Sequence, residues 1–239
     1  MTRDGCALVT DAPRGAGPAI ARALAQAGWP VAIHHRGGEA GERLAEEIVH
    51  AGGEAAALRV ELGAVEAAGD AFDALERQLG PVLVLVNNGD ADALDGVVSC
   101  ALWSATRSLP AMREAGFGRV VNVAAPLDAD WLLRRAVLPT DGNGDGNGHA
   151  RNAARAAARA GLIGLTRTLA AETAASGVTV NAVTPGLVDV EIPKELRAAV
   201  PFRRAATSEE VAGCVGFLAS EAASYVTGTT LPVDGGLAA

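Results

Sequence analysis

The stretch "ALVTDAPRGAGPAIARALAQAGWPVAIHHR", residues 7–36, sets the architecture. ALVT (7–10) and VAIHH (31–35) are short, strand-forming apolar runs. Between them the Ala, Leu, Arg and Gln spacing predicts a helix near 17–27, closed by Gly28 at a position suited to a left-handed cap. A strand, a Gly-rich turn, a helix and a second strand in such a short span form one βαβ unit.

The same rhythm continues. Further strands are expected at 56–60, 82–87, 119–123, 178–183 and 230–233, and helices near 39–51, 64–79, 96–115, 151–175 and 208–220. Gly52, Gly80, Gly116 and Gly177 end four of these helices. Alternation of this regularity predicts α/β architecture: a single doubly wound, Rossmann-like domain over 1–239, with a seven-stranded parallel sheet and helices on both faces. Ligands of such sheets bind at the carboxyl ends of the strands, so the loops after the strands carry the candidate chemistry. One segment breaks the pattern. Residues 126–150 read as an inserted, lid-like loop that ends in the flexible composition "DGNGDGNG".

Composition narrows the function classes. Apolar residues make up 49% of the chain and aromatic ones only 3%, which suits an Ala/Val/Leu core between helices and parallel strands. A net charge of −8 argues against a nucleic-acid partner. Cys6, Cys100 and Cys214 are scattered and odd in number, so neither a disulfide framework nor a zinc site is expected. No apolar run approaches the roughly 18 residues of a membrane span. The first strand begins almost at once, and a cytoplasmic location with no membrane partner is expected.

The opening stretch, together with "LVLVNNG" (83–89), "GRVVNVA" (118–124), "AGLIGLTRTLAAE" (160–172), "GVTVNAVTPGLVD" (177–189) and the segment 203–236, resembles the short-chain dehydrogenase/reductase superfamily. The resemblance is close to its 3-oxoacyl-carrier-protein reductase branch and covers nearly the whole chain outside 126–150. It implies a tetrad of Asn, Ser, Tyr and Lys at the reacting carbonyl. Set against those motifs, Val97 stands at the asparagine, Ala125 at the serine, Arg155 at the tyrosine and Arg159 at the lysine. The only tyrosine is Tyr225 and the only lysine Lys194, so no Tyr-x-x-x-Lys exists anywhere in the chain. Arginine keeps its proton and cannot replace either group as an acid or base.

For a cofactor the resemblance indicates NADP(H), through Arg14, Gly15, Gly17, Arg36, Asn87, Pro185 and Gly186. Asp11, where the resemblance implies the first glycine of the turn, opposes it with a Cβ and a negative charge near bound phosphates. Asp90 similarly ends the "NNGD" run. The sequence therefore leaves the cofactor open.

Other constellations read more plainly. "DGNGDGNGH" (141–149) has the opening spacing of a calcium loop, but Asn152 stands where the bidentate glutamate belongs, so a linker and no metal are expected. Arg151, Arg155 and Arg159 recur every four residues and share one helix face. Arg155 and Arg159 face the cleft by the resemblance, where they require acidic loop partners (Asp128, Asp130, Asp141, Asp145) or an anionic small-molecule ligand. His149 and Asp128 are the titratable candidates for new acid–base chemistry there, alongside Asp130. Trp103 and Trp131 line a pocket or pack in the core.

The reading these residues favour is a reductase scaffold stripped of its redox tetrad, a pseudoenzyme repurposed for non-redox chemistry or binding in specialised metabolism, of cyclase or isomerase type. The alternatives are a non-catalytic partner subunit of an active reductase and an atypical NADPH-dependent ketoreductase with substrate-assisted protonation. Whether the chain is an enzyme stays open. A dimer or tetramer, or a hetero-oligomer with an active paralogue, is expected from the resemblance.

Overall fold

The computed structural model describes residues 4–61, 65–89, 94–124, 147–192, 194–198 and 200–238. Seven strands, β1 (Cys6–Val9), β2 (Val31–His35), β3 (Ala55–Arg59), β4 (Val82–Asn88), β5 (Gly118–Val123), β6 (Val178–Pro185) and β7 (Thr230–Val233), form one parallel sheet. Their order is β3-β2-β1-β4-β5-β6-β7. Every residue of β1, β2, β4, β5 and β6 is buried, as a sheet covered on both faces requires. The edge strand β7 is only partly covered.

The helices are α1 (Gly17–Gln26), α2 (Ala40–His50), α3 (Val65–Leu79), α4 (Leu94–Glu114), α5 (Asn147–Thr173), the short α6 (Lys194–Arg197) and α7 (Ser208–Ala219). One layer packs α1 against α2 and α7; in the other, α4 meets α5, and Trp103 of α4 packs edge-on against Phe72 of α3. Trp103 is thus partly buried, packed against the core. No helix among the described residues is long and apolar enough to cross a membrane.

Periodicity located every strand to within two residues. It missed α6, one turn long, for which the sequence offers no amphipathic repeat. Helix α7 begins in a capping box: Thr207 accepts from the Glu210 amide, and the Glu210 side chain accepts from the Thr207 amide. Its first turn is also tied to the preceding loop, where the Ser208 amide and hydroxyl both donate to Asp189.

The strand order reverses between β1 and β4. That switch point, where loops leave in opposite directions, opens a crevice at the carboxyl ends of the two strands.

Candidate active site

The turn from β1 into α1 is held by two neighbouring strands, β4 and β2. The Thr10 amide donates to Val86 O of β4, and the Thr10 hydroxyl accepts from the Asn88 amide. Asp11 sits in the left-handed region, φ 44°. Its amide donates to His34 Nδ1 at 3.0 Å, while the Asn88 side-chain amide donates to both Asp11 O and Arg14 O at 3.1 Å. His34 is therefore the Nε2–H tautomer, donating to Val60 O at 2.9 Å. Burial of its ring pulls its pKa below the ordinary histidine value.

Gly17 permits this closeness. A Cβ there would lie 2.4 Å from Ala12 O and 2.8 Å from the Asn88 side chain. Gly15, at φ 52°, is exposed with open space around it. Helix α1 starts with no side-chain cap and no acidic residue in its first turn, leaving its N-terminal dipole facing the crevice uncompensated.

Asp11 also makes the site's shortest ion pair. Its Oδ2 accepts from Arg36 Nη2 at 2.7 Å, and Glu61 Oε1 stands 4.0 Å from Arg36 Nε. The Asp11 side chain is only 10% exposed and that of Arg36 47%, so the carboxylate is held inside and the guanidinium presents its outer half to solvent. The negative charge expected to oppose phosphates is thus bound to a cation. Arg14 is exposed.

Asn87 is buried, donating to Asn122 Oδ1 at 2.8 Å and accepting from the Ser104 hydroxyl at 2.7 Å. Asn122 in turn donates to Thr166, whose hydroxyl donates to Leu162 O. This polar ladder ties β4 and β5 to α4 and α5 beneath the cleft. The next residue, Asn88, is the one that braces the turn. Sequence reasoning missed both Asn88 and His34, because neither role is visible without the neighbouring strands.

Arg155 and Arg159 lie half-buried on α5. Arg159 Nη1 donates to Pro185 O at 3.3 Å, at the end of β6. Burial lowers its pKa and the nearby Asp234 carboxylate offsets part of that. Gly186, next to Pro185, allows close approach of the chain's last turn: a Cβ there would sit 2.7 Å from Asp234 Cα. A hollow of about 300 Å³ adjoins Asp234, walled on one side by Leu187, Val200, Phe202 and Val233 and on the other by the Arg204–Glu210 ion pair. Val97 is buried among Ala101, Ala124, Ala158 and Leu162, an apolar seam between α4 and α5. Ala125, Asp128, Asp130, Trp131, Asp141 and Asp145, with the calcium-like spacing, lie outside the described residues, as does the His149 side chain.

A parallel doubly wound sheet with a glycine-bearing turn and an open helix N-terminus at its switch point defines a nucleotide-fold class. Within that class, the profile described as enoyl-(acyl carrier protein) reductase matches residues 12–238. The chain belongs to the short-chain dehydrogenase/reductase family. It is 34% identical to the 3-oxoacyl-(acyl-carrier-protein) reductase FabG of Pseudomonas aeruginosa, over 97% of this chain and 96% of that one. It is 37% identical to BbsC of Thauera aromatica, a subunit of (2S)-((R)-hydroxy(phenyl)methyl)succinyl-CoA dehydrogenase, over 98% and 94%. It is 33% identical to the acetoacetyl-CoA reductase of Rhizobium meliloti, over 96% and 97%.

These findings correct the expectation of a scaffold turned to non-redox, cyclase- or isomerase-like chemistry. Relatives matched along almost their full length are named as reductases and as a dehydrogenase subunit. The reading from residues gave Val97, Ala125, Arg155, Arg159 and Asp11 more weight than the remainder of the chain.

Proposed function

We propose that this protein is a nicotinamide-dependent reductase of a 3-oxoacyl thioester, working without a tyrosine acid. The observation that carries this reading is the turn at Asp11. An aspartate there adopts the glycine-like backbone, and its amide and carbonyl are held by His34 and Asn88. The uncapped start of α1 suits a pyrophosphate, and Gly15 and Arg14 border it. Pro185 and Gly186 close the opposite side.

A bound reduced nicotinamide supplies a hydride to the carbonyl carbon of the ketone. Arg159, held at Pro185 O, and Arg155, one helical turn away, are fixed cations whose N–H groups stabilise the negative charge that develops on the oxygen. Neither gives up a proton. The proton that completes the alcohol comes from water or from an acidic group of the substrate, so the overall change is ketone, hydride and proton to alcohol.

The test is steady-state reduction of acetoacetyl-CoA by NADH and by NADPH, followed at the nicotinamide absorbance. Turnover by the wild type that falls about 100-fold or more in Arg159→Met supports the reading, the size expected for one lost electrostatic donor. No turnover with either coenzyme overturns it.

The name of the Thauera aromatica relative favours a second reading, in which this chain is one subunit of a mixed dehydrogenase. Co-expression with family members from the same genome tests it: a stable complex whose activity exceeds that of either chain supports this arrangement.

A further inference from the structure

We infer that Asp11 is a coenzyme-specificity residue that, by occupying Arg36, selects a dinucleotide with a free 2′-hydroxyl over one with a 2′-phosphate. The inference rests on the reductase reading above and names the coenzyme of that same site. In doubly wound folds, an arginine near the end of the second strand is the group that accommodates a 2′-phosphate, whereas a carboxylate serves the 2′-hydroxyl. Here both chemistries stand at one spot, and they are bonded to each other. Arg36 Nη2 lies 2.7 Å from Asp11 Oδ2, and Glu61 flanks the same guanidinium at 4.0 Å.

Charge and mobility decide between the two coenzymes. Arg36 itself carries no unpaired charge, because Asp11 is bonded to it and Glu61 flanks it; Arg14 and Arg59, whose Nη2 stands beside Gly37, are exposed cations without that fixed geometry. Glu61 is exposed and well screened, so Asp11 dominates. Asp11 cannot retreat with its backbone, because His34 holds its amide and Asn88 its carbonyl. Drawing Arg36 onto a phosphate would leave a carboxylate that is only 10% exposed without its cation, a costly state. A ribose hydroxyl imposes no such exchange, since a neutral O–H can donate to the carboxylate while Arg36 stays in place.

The experiment is titration of the full-length wild type, Asp11→Asn and Asp11→Gly with NADH and NADPH, read by coenzyme fluorescence, with circular dichroism melts to establish folding. The wild type is expected to bind NADH at least about tenfold more tightly than NADPH. Asp11→Asn, which keeps the side chain's size, should move that ratio about tenfold toward NADPH by releasing Arg36. Asp11→Gly should move it in the same direction. Equal or tighter binding of NADPH by the wild type overturns the inference but leaves the reductase reading standing, and so does an unchanged ratio in folded Asp11→Asn. Binding of neither coenzyme by the wild type overturns the reductase reading, and the inference falls with it.

Discussion

At Gly17 a methyl group has no room: its Cβ would stand 2.4 Å from Ala12 O, and backbone there cannot give way without opening the turn. Gly17→Ala should therefore destabilise the fold by roughly 1–3 kcal/mol and abolish coenzyme binding, measured by urea unfolding and fluorescence titration. Asp11 shows a different economy. Its positive φ costs less in an aspartate than in most side chains, and its carboxylate gains Arg36. His34 adds a pH response. Its ring is buried and its Nδ1 accepts the Asp11 amide, so the folded state resists protonation that the unfolded chain accepts. Above about pH 6.5 the residue is neutral in both states and costs nothing. As the pH falls below that value, stability drops by up to about 1.4 kcal/mol per pH unit for the one proton. Chemical denaturation between pH 7.5 and 5 should show that loss, and His34→Gln should flatten it. An unchanged slope in the variant would assign the loss to other groups. The sequence displayed Gly15, Gly17 and Asp11 openly, because a turn's demands fall on its own residues. It concealed His34 and Asn88, whose partners lie 23 and 77 positions away.

Among the elements, α7 and β5 are joined by a buried cation. Arg119, at the start of β5, donates to Gly118 O, Gly177 O and Ser220 O, meets Glu221 at 3.4 Å and lies over the Phe117 ring at 4.2 Å. Its removal strands several carbonyls at once. Arg119→Met should cost about 2–4 kcal/mol, seen as a lower urea midpoint with an unchanged slope. A loss below ~0.5 kcal/mol would show that water replaces these bonds. No periodicity marks this residue, since an arginine inside "GRVVNVA" reads simply as a strand start. The helices and strands themselves were legible because apolar spacing reports burial directly. The side-chain ladder through Ser104, Asn87, Asn122 and Thr166 was not, because its four members come from four separate elements.

For the molecule as a whole, the site is a junction between two halves of the sheet. Under the proposed reading, a coenzyme at the switch point would bridge the first βα unit and the far side at Pro185, so its affinity would add to folding stability. At a hundredfold excess over its dissociation constant, NADH should stabilise the wild type by about 2.7 kcal/mol and raise the melting temperature accordingly. Calorimetry with and without coenzyme measures this, and an identical melting temperature would argue against binding. Arg155 and Arg159 belong to this scale too. On the sequence they are part of an arginine repeat, and with Val97, Ala125 and Asp11 they suggested that redox function had been discarded. In the fold, Arg159 is a half-buried cation fixed to the end of β6 near Asp234, and the full-length likeness to reductases restored the redox reading.

The amino-acid sequence by itself determined the α/β class, the parallel sheet, the strand positions and the glycine turn, because each follows from local spacing and from backbone conformations that few residues tolerate. Tertiary structure alone decided that Asp11 is paired with Arg36, that Asn88 rather than Asn87 holds the turn, and that the turn rests on His34. Those outcomes depend on which strands lie side by side, and the crossing from β1 to β4 is a property of the assembled sheet.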